Sequence, residues 1–209
     1  MSNVPEAEKE VIAGDSLHMN KGEEVKLTEA SAQLRKVKVC LGWKAPEESD
    51  GFTVDIDASA FLLNRERRVR NDTDFVFYNN LEIDGGSVRH GGDNRVGDAD
   101  GDDEVIHIDL ETVPFDVESI AFSVTIHSPE ERQQNFGLVK DAYIRVVNEE
   151  DGKELAHFDL SEDASEDNAM VFGELVRDGV GWKFKALGDG TDGGLYKIAR
   201  EFGVNVAPM

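Results

Sequence analysis

The chain has 209 residues and sets 22 lysines and arginines against 44 aspartates and glutamates, a formal net charge of −22. That balance argues against non-specific nucleic-acid binding, which needs a basic footprint, and fits cation binding, solubility or docking to basic surfaces. A single cysteine, Cys40, excludes an intrachain disulfide and fits a cytoplasmic compartment.

The length suits one domain with a substantial core. The N-terminus lacks the basic-then-apolar pattern of a secretory signal, and no apolar run approaches membrane-spanning length, so a soluble intracellular protein without membrane insertion is expected. Residues 1–19 are acidic and irregular and read as a poorly ordered or loosely docked extension ahead of a domain over 20–209. Beyond a turn at Asn20, Lys21 and Gly22, a short strand is predicted over 24–27. Residues 36–43 alternate polar with apolar side chains and predict a second strand. Cys40 lies in its apolar run and reads as a core residue rather than a nucleophile.

Residues 52–63 predict a strand with Val54, Ile56 and Ala58 on one face and Asp55 and Asp57 on the other. Two such carboxylates stand about 7 Å apart along the backbone and can converge on one ion near a strand end. The alternative is a pair of solvent-facing acids. A strand over 74–78 runs into Asn79 and Asn80, whose amides suit either loop caps or oxygen ligands.

Residues 91–104 place Asp93, Asp98, Asp100, Asp102, Asp103 and Glu104 in one glycine-interleaved loop, with Arg95 as its only cation. Like charges held together repel unless a cation sits among them, and hard oxygen donors favour Ca²⁺ over softer metals. A solvated acidic turn is the rival reading, and the spacing leaves both open. His90, beside the loop, reads as a solvated turn residue. An alternating strand over 105–110 follows directly, which counts against an EF-hand. So does Asp98, which stands sixth when Asp93 is first, where that loop requires glycine.

Another strand is expected over 119–127. Ser128, Pro129, Glu130 and Glu131 then carry helix-start chemistry, with Ser128 as N-cap, for a helix ending near Phe136 and Gly137. Two hairpins are predicted, 142–148 with 153–160 and 170–177 with 181–187. A closing helix carries Leu195, Ile198, Ala199 and Phe202, with Gly203 at its C-terminal cap. The pattern is that of an all-β chain, a two-sheet antiparallel β-sandwich with one or two short peripheral helices.

Several of these stretches resemble one known family. Residues 55–63, Asp-Ile-Asp-Ala-Ser-Ala-Phe-Leu-Leu, are similar to the Asp-hydrophobe-Asp-Ala-Ser-Ala signature of the TerD family of tellurium-resistance and stress-response proteins. Residues 74–80, 92–95 with 101–104, and 181–184 resemble it as well, and the likeness runs in order from about residue 20 to the C-terminus. It implies a β-sandwich that binds calcium through acidic loops at one end, with no established catalysis. Other tellurite-resistance and stress proteins are the implied partners, some membrane-linked, which would bring the chain to the inner face of the membrane. On this reading Asp55, Asp57, Asn79, Asn80, Asp93, Asn94, Asp102, Asp103 and Glu104 supply oxygens to one or two Ca²⁺ ions, with Asp98 and Asp100 ranked second. Lys44 departs from the family pattern, which usually has aspartate after Gly-Trp.

Two other classes compete with a calcium module. A Mg²⁺- or Mn²⁺-dependent enzyme of phosphoryl or hydrolytic chemistry would use the same carboxylates. However, the sequence has no phosphate-binding loop ending in Lys-Ser/Thr, no His-Glu-x-x-His and no serine nucleophile signature. A metal-free acidic adaptor would use the charge alone, but paired acids in separate segments suit an ion better than a patch. Direct reduction of tellurite finds no redox machinery in one apolar-flanked thiol.

Overall fold

The computed structural model describes residues 8–9, 17–30, 33–44, 54–92, 102–160 and 166–206. In chain order the strands are β1 (Glu8–Lys9), β2 (His18–Met19), β3 (Glu24–Lys26), β4 (Lys36–Lys44), β5 (Ile56–Leu63), β6 (Phe75–Val76) and β7 (Val88–His90). They continue as β8 (Glu104–Asp109), β9 (Ser119–Ile126), β10 (Lys140–Asn148), β11 (Glu154–Asp159), β12 (Ala169–Asp178) and β13 (Gly181–Thr191). Three short α-helices are added among the described residues: α1 (Leu27–Ala30), α2 (Pro129–Arg132) and α3 (Gly194–Glu201).

The strands form a seven-stranded sheet, β1-β3-β13-β12-β9-β5-β6, and a six-stranded sheet, β2-β11-β10-β4-β8-β7. Pairing is antiparallel except at one edge of each sheet, where β1 joins β3 and β2 joins β11 in parallel. The main core lies between the sheets. β4 sends Val37, Val39, Leu41 and Trp43 into it, and β8 sends Ile106 and Ile108. Their alternation reflects strands with one face on the core.

β5 is buried along its whole length. Ile56, Ala58, Ala60 and Leu62 join the main core, whereas Phe61 and Leu63 enter a second apolar layer under α3 with Phe75, Ile198, Ala199 and Phe202. The Phe61 ring stacks on Phe75 at 4.5 Å and meets Phe202 at 5.0 Å. Burying each such side chain contributes about 2–3 kcal/mol. Gly203 takes φ +84°, the left-handed conformation that closes α3 without a side-chain penalty.

Three local expectations change. The strand expected over 24–27 ends at Lys26, and Leu27 opens α1. Ser128 sits at the N-cap of α2, but with left-handed φ 48° its hydroxyl caps nothing, and the helix ends at Arg132. A separate 3-10 turn, Phe136–Leu138, follows, with the Asn135 side chain accepting from Gly137 N–H.

Candidate metal centre

The register sets several chain segments at one end of the sandwich. Leu41 near the end of β4 lies opposite Glu104 at the start of β8, and His90 at the end of β7 lies opposite Ile106. In the other sheet, Ile56 at the start of β5 pairs with Ile126 at the end of β9. The sheets are tied together here by His90 Nε2, which lies 3.2 Å from the Ala58 carbonyl oxygen.

His90 is buried, not solvated as its place beside the acidic loop suggested. Val88 and His90 point inward while Arg89 points out, so the short β7 alternates. His90 Nδ1 accepts the Gly92 N–H at 3.1 Å, which leaves Nε2 to carry the ring proton toward Ala58 and toward Glu104 Oε2, also 3.1 Å away. Burial opposes charging the ring. The Glu104 hydrogen bond and charge, the Ala58 carbonyl and the Asp57 charge outweigh it and raise the His90 pKa above its ordinary value.

Three more carboxylates lie on segments at this end of the sandwich. Asp103 Oδ2 accepts the Trp43 N–H at 2.9 Å, and the residue is only 5% exposed. Asp57, buried in β5, has Oδ2 3.6 Å from His127 Nδ1. Asp55, just before β5, gives its carbonyl to His127 N–H at 2.8 Å, while its side-chain Oδ1 is buried and has no hydrogen-bond partner among the described residues. Imidazoles, His90 and His127, stand against two of these four acids. A buried carboxylate oxygen left unbonded is costly, and that gap suits a hard cation.

The remaining expected ligands divide. Asp102 turns to the outer face of the six-stranded sheet, where Arg145 grips it in a fork: Nε to Oδ1 and Nη2 to Oδ2, both 2.8 Å. The Tyr143 hydroxyl lies 3.3 Å from the same Oδ1. Burial works against the charge on Asp102, but Arg145 outweighs it and holds the carboxyl below the usual range. Cys40 lies beneath, its thiol pushed up to about 12 by burial and by Asp102. Asp102 is thus directed away from Asp103 and Glu104, its neighbours in sequence.

Asn79 is exposed on the turn after β6. Asn80 spends its amide donor on the carbonyls of Thr73 and Phe75, at 3.2 and 2.7 Å. The turn lies near the acidic end, since the Tyr78 ring meets His127 edge-on at 6.5 Å. Asp93, Asn94, Asp98 and Asp100 lie outside the described residues. Lys44 pairs with Asp141 at 2.6 Å, across the β4–β10 edge of the site. A recess of about 440 Å³ lies elsewhere, between α3 and β13, lined by Arg67, Gly190, Lys197 and Phe202. None of the acidic-end residues lines it.

Residues 16–202 match the TerD domain family. The chain is 48% identical over 192 residues to the tellurium resistance protein TerD of Serratia marcescens, covering 92% of this chain and 100% of that one. It is 44% identical over 191 residues to general stress protein 16U of Bacillus subtilis (strain 168), covering 91% and 99%. A solved structure, a homologue of telluride resistance protein (TerD) from Streptomyces coelicolor A3(2), superposes with a TM-score of 0.65 at 22% identity, covering 84% of this chain and 99% of that one. No helix among the described residues is long and apolar enough to cross a membrane.

Proposed function

This chain belongs to the TerD family of tellurium-resistance and stress-response proteins, and from that premise we propose that it is a non-enzymatic, calcium-organised interaction module. The observation that carries the reading is Asp55 Oδ1, buried with no hydrogen-bond partner among the described residues, on a segment at the same end of the sandwich as Asp57, Asp103 and Glu104. These four oxygen donors would hold Ca²⁺, joined by Asp93 and Asn94, which lie outside the described residues, and by backbone carbonyls. With water they suffice for the six to eight oxygens that Ca²⁺ requires.

The ion supplies charge neutralisation. Its binding fixes the acidic segments and so makes or removes a docking surface for other stress proteins in the cytoplasm, including membrane-linked ones. Asp102 stays with Arg145 and holds the C-terminal end of the acidic loop to the sheet. A non-enzymatic role is favoured by the state of the groups at this end. The His90 ring is engaged at both nitrogens, and the Cys40 thiol, at about 12, supplies no nucleophile at neutral pH.

The test is a calorimetric calcium titration of metal-stripped protein, repeated in millimolar Mg²⁺. The expected result is binding of roughly one or two ions per chain, tighter than about 10⁻⁵ M and resistant to magnesium. Absence of both heat and thermal shift would overturn the reading. Partner capture from stress-induced cells should then differ between calcium and chelator.

A further inference from the structure

The acidic end does not account for the histidines at the β2 edge. His18 lies directly opposite His157 in the parallel β2–β11 pair, and the two rings lie 4.6 Å apart. Asp159 is two residues beyond His157 and therefore on the same face of β11. Its Oδ1 is 3.1 Å from His157 Nε2, and its Oδ2 is 4.0 Å from His18 Nδ1. One donor atom from each of the three residues falls within 4.8 Å of the others. A tetrahedral ion with ligands at about 2.0–2.2 Å holds its donors roughly 3.3–3.6 Å apart, so modest side-chain rotations bring these three to one ion.

We infer that His18, His157 and Asp159 form a surface site for a divalent transition metal of the Zn²⁺ or Co²⁺ type, separate from the acidic end. Two imidazoles and one carboxylate are a borderline donor set, which favours such ions over Ca²⁺. What distinguishes the cluster from a chance meeting of side chains is the support behind His157. Its second nitrogen, Nδ1, lies 3.3 Å from Glu154 Oε1, the carboxylate partner that orients a ligating imidazole. Glu154 Oε2 in turn accepts from Arg145 Nη1 at 3.0 Å, and Arg145 is fixed by its fork to Asp102. The Tyr143 ring stacks on His157 at 5.0 Å and 23°. The ring is thus set in direction by a carboxylate on one side and in plane by an aromatic on the other. His18 and Asp159 side chains are each 71% exposed, so an ion can enter and a fourth position faces solvent.

The experiment uses the full chain, stripped of metal and then saturated with Ca²⁺ so that the acidic end is occupied. Titration with Co²⁺, followed by visible absorption, and with Zn²⁺, followed by calorimetry, should show about one ion per chain in the micromolar range or tighter. His18→Ala and His157→Ala should each weaken binding at least about tenfold, and Glu154→Gln about tenfold through loss of orientation. His18 sits on a two-residue edge strand, so His18→Ala should keep the wild-type calcium titration and thermal unfolding, which separates loss of the site from loss of the fold. Zn²⁺ binding unchanged in both histidine variants, or abolished by Asp103→Asn instead, would overturn the assignment. So would the absence of binding below about a millimolar in the calcium-loaded protein.

Discussion

His90 Nε2 and Glu104 Oε2 lie 3.1 Å apart with each side chain only 1% exposed, and the same nitrogen reaches the Ala58 carbonyl of the opposite sheet. The imidazole therefore ties the two sheets at the end that carries Asp57, Asp103 and Glu104. Removing one member of an enclosed hydrogen-bonded pair costs about 1–3 kcal/mol, because the other stays buried without its partner. His90→Gln is accordingly expected to lower the stability of the metal-free protein by about 2 kcal/mol. Calcium should stabilise the variant more than the wild type, since a cation beside Glu104 satisfies the carboxylate that the imidazole no longer reaches. Urea unfolding of both proteins, in calcium and in chelator, checks the expectation. An equal calcium increment in the two would remove Glu104 from the proposed site.

Asp102 and Asp103 adjoin in sequence but face opposite ways, Asp102 to Arg145 on the outer sheet face and Asp103 to the Trp43 N–H. The two asparagine variants should separate accordingly. Asp103→Asn should weaken calcium binding at least about tenfold through loss of a charged oxygen ligand. Asp102→Asn should leave calcium binding within a few-fold but destabilise the fold by about 2 kcal/mol, because Arg145 loses its fork. It should also make Cys40 more reactive toward a thiol reagent, since Asp102 helps to hold that thiol at about 12. Titration calorimetry and thiol-labelling rates report on each.

How far the sequence discloses this arrangement depends on what covers each strand. β4 and β8 show in the letters because one face meets the core and the other does not. The stretch that forms β5 alternates only around Asp55 and Asp57, at and just before the start of the strand, because α3 and its apolar layer bury the outer face from Phe61 onward. Asp55, Asp57, Asp103 and Glu104 are legible as acids in two segments, and the family likeness joins them. His90 is missed because three residues of strand between turns carry little periodic signal; the inward Val88 and His90 with outward Arg89 are the only trace. Nothing in local spacing could link His18 to His157, since only the β2–β11 register sets them side by side.

Glu24 gives the fold a pH dependence that is independent of any metal. Lys183 and Lys185, reaching from β13, both contact its carboxylate. Burial on its own would raise its pKa, but the two ammonium groups together outweigh it and hold the folded value below the ordinary 4.5. A depressed folded pKa adds stability that is present in full above the unfolded value and is lost as pH falls through the folded one. Glu24→Gln should therefore cost about 2 kcal/mol at pH 7. Its difference from the wild type should shrink as the pH is lowered below 4.5 toward the folded value. Urea midpoints measured across the acidic range, in chelator, give the comparison; a difference that does not change with pH would show that the charge of Glu24 is not what matters.

Gly42 on β4 lies opposite Tyr143 on β10, and a Cβ there would run into the tyrosine ring. That ring also stacks on His157 and points its hydroxyl at Asp102, so its position serves the outer-face network as well as the packing. Gly42→Ala should destabilise the protein by about 1–3 kcal/mol, the usual cost of overpacking a close contact. Displacement of the ring should also loosen the His157 imidazole. The displaced ring is the cause on this account, so adding Tyr143→Ala should make the alanine at 42 nearly neutral relative to Tyr143→Ala alone. A double-mutant cycle by thermal unfolding measures this directly. A coupling energy near zero would mean that the glycine is required for its backbone and not for the ring above it.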